Sequence, residues 1–449
     1  MYFTILAAMI IALMAEVKVD LAHDPSFDPM AIFLWTVLLV ASAPLPGILL
    51  AATIRPDDLQ DSFHRSRAYR RVRVGTIVCQ AWILLAFAAV IYVARWPLFA
   101  EAGLHMRGWV LLPEMMRLAP FVAMLLLAWM SLYRVDRMLR MGQWSLREFL
   151  EFHVRQYLLF ILLPFAVWIT VEDAVSLPRW NDALSRLGLD WMIPLGAMAL
   201  FYLYSPLAMR YVWKTRRLED GPLRERLAAL CERSGTGHRD ILVWETLGGN
   251  IPNACVIGIM PSARYIMLTD ALTDLLTTEE IEGVFAHEIG HVKRRHVTYY
   301  VLLTVALVAG FTLLASTSAF QSLQGRSLND MLSTQGAVAM SGALLFWWLG
   351  FGFVSRRMEL EADVYAVKLT GSTENFVNGL ERISFHSGRP RSANSWRHFS
   401  IARRTAFLLA CQADPLRLAR FETGMKLLRA FILAAAILSI LGAISLTLG

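Results

Sequence analysis

The sequence predicts an α-helical polytopic membrane protein with a small α+β domain set late among its helices. Three observations predict it. The 449-residue chain is 56% hydrophobic, with a mean hydropathy of +0.48, above the roughly 45–50% apolar usage of soluble domains. Its apolar residues gather into runs near the length of about 20 residues that crosses about 30 Å of hydrocarbon. Between the runs, the charge alternates in sign.

The candidate spans, in order, are residues 1–17, 31–54, 75–94, 118–133, 157–171, 191–209, 299–320, 336–354 and 430–449. The first and fifth are short, so a half-buried or interfacial helix is the competing reading for both. The first lacks a basic leading region, and Leu13 is a poor residue three before a cut at Ala15. It therefore reads as an anchor rather than a cleaved signal. After it, Asp20, Asp24 and Asp28 face only Lys18. After the second come Arg55, Arg65, Arg67, Arg70, Arg71 and Arg73, and after the fourth Arg134, Arg137, Arg140, Arg147 and Arg155. The fifth is followed by Glu172, Asp173, Asp182 and Asp190, and the sixth by Arg210, Lys214, Arg216 and Arg217. Lys and Arg accumulate in cytoplasmic loops. The alternation gives an N-in, C-out topology of about nine spans, by this rule.

That topology places residues 210–298 and 355–429 on the cytoplasmic side, separated by a hairpin of two spans. The expected organisation is a bundle over 1–213, a first catalytic part over 214–298, a transmembrane hairpin over 299–354, a second catalytic part over 355–429 and a last span over 430–449. The net charge of +7 is mostly this bias. The arginine runs carry few interleaved aromatics and read as headgroup contacts with the lipid bilayer, so no nucleic acid partner is expected. Trp96, Trp191, Trp213 and Tyr299 lie near span ends and fit an interfacial belt, with core packing as the competing reading. The four cysteines, Cys79, Cys231, Cys255 and Cys411, form no C-x-x-C, and in a reducing compartment no structural disulfide is expected.

Within the polar part, Asp220 and Pro222 read as the N-cap and first residue of a short helix ending near Cys231. Residues 241–244 and 265–268 read as strands, with 253–257 between them. Pro252 precedes this middle strand, where a missing N–H is tolerated at a sheet edge. Thr277 and Glu280 form a capping box, and Ile281, Val284, Phe285 and Ile289 supply an apolar stripe at helical spacing. Residues 385–397, rich in Ser, Arg and Pro, read as a loop.

The chemistry is concentrated in His287-Glu288-Ile289-Gly290-His291. On a helix, residues four apart lie on one face, so both imidazoles can reach one Zn2+ ion. Glu288, rotated off that pair, can serve a water as general base. A third protein ligand is needed. Glu359 and Asp363 are again four apart. Glu359 is expected on zinc, and Asp363 is expected to accept the outer N–H of a ligating imidazole. Glu361 points elsewhere on that helix and reads as a solvated carboxylate.

Taken in order, Asn253-Ala254-Cys255-Val256-Ile257-Gly258, Leu268-Thr269-Asp270-Ala271-Leu272, His-Glu-Ile-Gly-His and Ser355-Arg356-Arg357-Met358-Glu359-Leu360-Glu361-Ala362-Asp363 resemble one family. It is the family of membrane zinc endopeptidases that contains the CAAX prenyl proteases and the HtpX-type heat-shock proteases. The resemblance covers roughly residues 220 to 410 and implies a zincin-like α+β catalytic domain. It implies that Asn253 and Ala254 sit on an edge strand to which a protein or peptide substrate adds as a further strand. It also implies that His398 and Arg404, in His398-Phe399-Ser400-Ile401-Ala402-Arg403-Arg404, stabilise an oxyanion. Phe399 stands where the family has Pro, and a basic surface helix is the alternative. His296 resembles the prenyl-protease branch, against the reading of a basic helix end in Lys293-Arg294-Arg295-His296.

The expected function is therefore an integral membrane zinc endopeptidase at the cytoplasmic face, in a bacterial inner membrane, acting on membrane-associated or misfolded proteins. Processing of a prenylated substrate is the alternative, since the six spans before the catalytic part exceed the prenyl-protease pattern. An intramembrane zinc protease would place the histidines mid-span, but Glu279, Glu280 and Lys293 to Arg295 flank them. A self-cleaving sensor would need an outer ligand-binding domain, and no outer segment is long enough. The reading of another class is a non-enzymatic scaffold or transporter with a degenerate metal site; transporters place ionisable groups near the midplane, and these spans hold almost none.

Overall fold

The computed structural model describes residues 1–13, 28–55, 62–104, 109–140, 142–176, 186, 192–315, 334–387 and 390–448. The first half is a helical bundle. It comprises α1 (Tyr2–Leu13), α2 (Pro29–Ser42), α3 (Leu45–Ala52), α4 (Ser62–Ala88), α5 (Leu112–Arg140), α6 (Leu146–His153), α7 (Phe160–Ser176) and α8 (Met192–Val212). A π-helical turn, Val154–Leu159, joins α6 to α7. Asp28 caps α2 by accepting from Met30 and Ala31 N–H, and Ser145 with Glu148 boxes the start of α6. Ile5, Phe87, Phe121, Met124 and Trp129 form the bundle core.

The polar part follows with β1 (Thr215–Arg217), α9 (Pro222–Ser234), β2 (Asp240–Trp244), β3 (Ala254–Ile257), β4 (Tyr265–Thr269) and α10 (Asp270–Leu275). Then come α11 (Thr278–Lys293), α12 (His296–Ala315), α13 (Thr334–Thr370), α14 (Thr373–His386), α15 (Ile401–Ala413) and α16 (Pro415–Leu448). Among the described residues the sheet runs β1-β2-β4-β3, with β2 and β4 parallel and the other pairs antiparallel. Side chains alternate across a strand, and both faces are covered here. Leu242, Trp244, Tyr265 and Met267 enter the core of the bundle, whereas Ile241, Val243, Ile266 and Leu268 pack on α9 and α11. The bundle is thus the second layer of the sheet, and β3 lies at a sheet edge.

Among the described residues, five helical segments are long and apolar enough to cross a membrane: Pro29–Ala52, Arg67–Val93, Leu112–Arg140, Leu146–Ser176 and Pro415–Gly442. They match the second, third, fourth, fifth and ninth expected spans. The first and seventh coincide with the shorter apolar helices Tyr2–Ala12 and His296–Gly310. The sixth and eighth coincide with α8 and the first half of α13. The turn of the expected hairpin, residues 316–333, and the acids Asp20, Asp24, Asp182 and Asp190 lie outside the described residues, as do Trp191 and residues 388 and 389 of the expected loop.

Several details differ from expectation. The N-cap of α9 is Gly221, not Asp220; the Asp220 carboxylate instead faces Arg217 and Arg224 at 3.2 and 3.3 Å. Trp96 and Trp213 are buried rather than interfacial. Trp96 Nε1 donates to the Met116 carbonyl at 2.8 Å, and Trp213 stacks on Trp244 at 4.8 Å. No helix break separates the apolar half of α13 from its acidic half, nor the polar start of α16 from its apolar end. Helix formation depends on local propensity, which does not change where hydropathy does.

Candidate metal centre

Helix α11 starts at a capping box. The Thr277 hydroxyl accepts from Glu280 N–H, and the Glu280 carboxylate accepts from Thr277 N–H at 3.0 Å. Ile281, Val284, Phe285 and Ile289 are buried against the sheet and α9. That anchoring turns His287 and His291 towards α13. The approach is close because Gly290 has no side chain: a Cβ there would stand 3.1 Å from Ala362 Cα.

The result is a cluster of donors, two imidazoles facing one carboxylate. His287 Nε2 and His291 Nε2 are 3.2 Å apart. Glu359 Oε2 lies 3.6 Å from His287 Nε2, and Glu359 Oε1 lies 3.6 Å from His291 Nε2. Zinc–nitrogen and zinc–oxygen bonds of about 2.0–2.2 Å in a tetrahedron put neighbouring donors roughly 3.3–3.5 Å apart. Each imidazole nitrogen thus faces a different oxygen of the one carboxylate, and these separations are close to those that zinc ligands adopt. The donor set, two imidazoles and a carboxylate with the fourth direction left over, is that of a catalytic rather than a structural site.

Electrostatics point the same way. Glu359 is 2% exposed. Burial alone would raise its carboxyl, but His287 and His398 hold it well below the usual range. Burial alone would lower His287, yet Asp363 and Glu359 pull it up to about 10. The two acids thus favour positive charge at this imidazole, whereas burial and the neighbouring His287 hold His291 well below the ordinary histidine range. Glu288 is partly accessible at the cavity wall, and desolvation there pushes its carboxyl up to about 7.

The structure brings the other expected residues to the same place, with some changed contacts. Asp363 is fully buried, with Oδ1 2.9 Å from His287 Nδ1. Arg404 grips Asp363 with both Nε, at 2.8 Å, and Nη2. Two of its donors are thus spent on that carboxylate, and Arg404 also lines the cavity that Glu288 and Glu359 line. His398 is the more accessible of the pair, with Nδ1 2.8 Å from Glu359 Oε2. Asn253 precedes β3 and is pinned by Thr269, whose hydroxyl accepts its N–H at 2.9 Å and whose N–H donates to its carbonyl at 3.0 Å. Ala254 is the first residue of β3, opposite Leu268.

Glu361 is corrected. It is not solvated but buried, in contact with His296 and Arg429. The reading from helical phase went wrong because it could not know that α12 and α16 pack over this side of α13. His296 is likewise a fully buried side chain rather than a basic helix end. Its spacing from His291 was the available signal.

His287, Glu288 and Glu359 line one end of a cavity of about 690 Å³. Asn253 and Ala254 form part of its wall. Ile77 from α4 and Leu132, Val135 and Leu139 from α5 also line it, together with Arg73, Asp136 and Arg140. The site is therefore continuous with an apolar surface of the bundle.

Residues 217–423 match the model of Peptidase family M48. The chain is 32% identical over 213 residues to a "Protease HtpX homolog" of Aeropyrum pernix, covering 44% of this chain and 65% of that one. It is 27% identical over 211 residues to "CAAX prenyl protease 1" of Saccharomyces cerevisiae, covering 42% and 44%. The match thus spans less than two thirds of either relative. The crystal structure of S. mikatae Ste24p superposes with a TM-score of 0.56 at 19% identity, over 85% of this chain and 99% of that one. That likeness shows a shared fold.

Proposed function

Residues 217–423 belong to peptidase family M48, and from that premise we propose that this integral membrane protein is a zinc-dependent endopeptidase. His287, His291 and Glu359 would hold the ion. The observation that carries the reading is the donor cluster, two imidazole nitrogens 3.2 Å apart and each 3.6 Å from one oxygen of the Glu359 carboxylate, beside a glutamate at the cavity wall. A bound zinc supplies a Lewis acid that polarises a peptide carbonyl and acidifies water.

The chain's own residues do the rest. Glu288, poised near neutrality, takes the proton of the attacking water and gives it to the leaving amine, which is efficient when the pKa is close to the working pH. The edge of β3, entered at Asn253 and Ala254, holds the substrate backbone by strand addition. His398 stands beside Glu359 and donates to the developing oxyanion. Arg404 fixes Asp363, and Asp363 fixes the outer nitrogen of His287.

The apolar wall of Ile77, Leu132, Val135 and Leu139 favours substrates with apolar side chains beside the scissile bond, as in membrane-associated or misfolded proteins. A lipidated peptide, of the kind the yeast relative's name implies for that protein, is the second reading, and the same wall favours it. The domain boundaries and the cytoplasmic placement of the site are part of this proposal, the latter resting on the alternation of charge between spans.

The test is metal analysis and proteolysis of the protein in lipid nanodiscs, beside the Glu288→Gln variant. One zinc per chain in both, with cleavage of an unfolded membrane-protein substrate in the parent alone, supports the reading. Absence of zinc and of cleavage in the parent supports the scaffold reading. Mass spectrometry of membrane proteins that accumulate with Glu288→Gln would name the substrates.

A further inference from the structure

The two histidines are backed differently. Behind His287 stands a carboxylate held by an arginine, Asp363 with Arg404. On the Nδ1 side of His291, no carboxylate among the described residues makes a direct contact. His291 Nδ1 lies 2.8 Å from His296 Nδ1, and His296 Nε2 lies 3.1 Å from Glu361 Oε2. The other oxygen of Glu361 accepts from Arg429 on α16, with Arg294 Nε at 3.8 Å. His296 is 0% exposed, and Glu361 is buried.

The polarity of this chain of contacts is determined. If His291 Nε2 ligates a cation, the neutral ring carries its proton on Nδ1 and must donate it. His296 Nδ1 then accepts, so the His296 proton sits on Nε2 and is donated to Glu361. Glu361 must be ionised to accept from both His296 and Arg429. Each nitrogen has one role, and no buried donor is opposed by another. Residue placement explains the geometry. Arg295 takes a left-handed conformation, with φ 54°, between the end of α11 and the start of α12. That tight turn folds His296 back beside His291.

We propose that His296, Glu361 and Arg429 are positioning residues that fix the tautomer and orientation of His291, making the middle of α16 part of the metal site. The assignment rests on the metal site proposed above. An outer partner of a metal-bound histidine orients the ring and raises its donor strength, and its loss typically weakens metal binding about 10- to 100-fold. Three acidic residues of α13 then divide the work: Glu359 as ligand, Asp363 behind one imidazole directly, and Glu361 behind the other through a histidine.

The experiment uses the full chain in nanodiscs, with zinc affinity read by chelator competition and ligand-field geometry read from the visible spectrum of the cobalt-substituted protein. Glu361→Gln keeps shape but removes charge. It is expected to weaken zinc binding about 10- to 100-fold and to shift the cobalt bands. Arg429→Ala is expected to move both readouts in the same direction, and Arg429→Lys to restore them in part. If Glu361→Gln does not fold, the Arg429 pair carries the test alone. Parent-like zinc affinity and cobalt bands in Glu361→Gln, or in Arg429→Ala, would overturn the relay and leave a salt bridge that only joins α13 to α16. If the parent chain itself binds no zinc, the metal site fails and the relay fails with it.

Discussion

Gly290 lies flat against Ala362: a Cβ built on the glycine would meet the alanine Cα at 3.1 Å and its carbonyl oxygen at 3.2 Å. Here α11 packs against α13, between the residues that carry the candidate ligands. The obstacles are backbone atoms, which cannot rotate away. Gly290→Val is expected to force the helices apart, at a cost of about 1–3 kcal/mol from overpacking. The outcome is a protein that still inserts in membranes but has lost its zinc. Metal content measured beside thermal unfolding checks this; full zinc occupancy in Gly290→Val would contradict it.

Asp363 should make stability depend on acid. Burial would raise its carboxyl, but Arg404 outweighs that and holds it below the usual range. A carboxyl depressed by folding contributes stability above its unfolded pKa of about 3.9. It loses that contribution as pH falls through the folded value. Replacing Arg404 with Ala leaves the buried carboxylate with only His287 beside it; breaking a buried pair costs up to about 3–5 kcal/mol. The parent should lose stability as pH falls below about 4. Arg404→Ala should be much less stable at pH 7 and show a shallower acid slope. Denaturant midpoints across pH 3–7 measure both; equal slopes would count against the pairing.

His398 is expected to serve turnover rather than metal retention. It touches Glu359 but is not one of the three clustered donors. His398→Ala should keep zinc and lower kcat roughly 10²–10³-fold, as for other lost oxyanion donors. Should zinc be lost in that variant, the residue would be a support of Glu359 instead.

The cysteines are expected to be inert. All four are free, and Cys79, Cys231 and Cys411 are buried. Burial pushes the Cys231 thiol up to about 12, and burial with the nearby Glu288 pushes Cys255 higher still. Almost no thiolate is then present at pH 7.5. Alkylation by iodoacetamide should be slow in the native protein and fast after denaturation in SDS, and reductant should not change the unfolding temperature. Rapid native alkylation of Cys231 would show that α9 opens.

How much of this was legible in the sequence depends on the distance over which the information is stored. The α11 helix was readable because Thr277, Glu280 and the Ile281–Ile289 stripe are local signals, and all act as expected. Glu359 and Asp363 could be paired with the histidines because residues four apart share a face. Glu361 could not, since its burial depends on α12 and α16, distant in sequence. Strand β1 was missed: Thr215–Arg217 carries no apolar alternation, because this charged strand lies at a sheet edge. Nor could the period of β2 and β4 reveal that both sheet faces are covered, which a run of buried residues leaves ambiguous with a helix.

The unbroken course of α13 ties two coordinates together. Thirty-seven residues in one rod span about 55 Å, with the exposed apolar side chains of Leu345, Phe346, Trp348 and Leu349 preceding Glu359 on the same helix. Azimuth is therefore shared: whatever rotation the lipid-facing residues adopt, the carboxylate inherits. One alanine inserted between Val354 and Glu359 would turn the carboxylate by about 100° without altering a single ligand. A phase change of that kind disables the centre as surely as deleting Glu359, and an insertion of seven, close to two full turns, would restore the direction while moving the ligand roughly 10 Å along the axis.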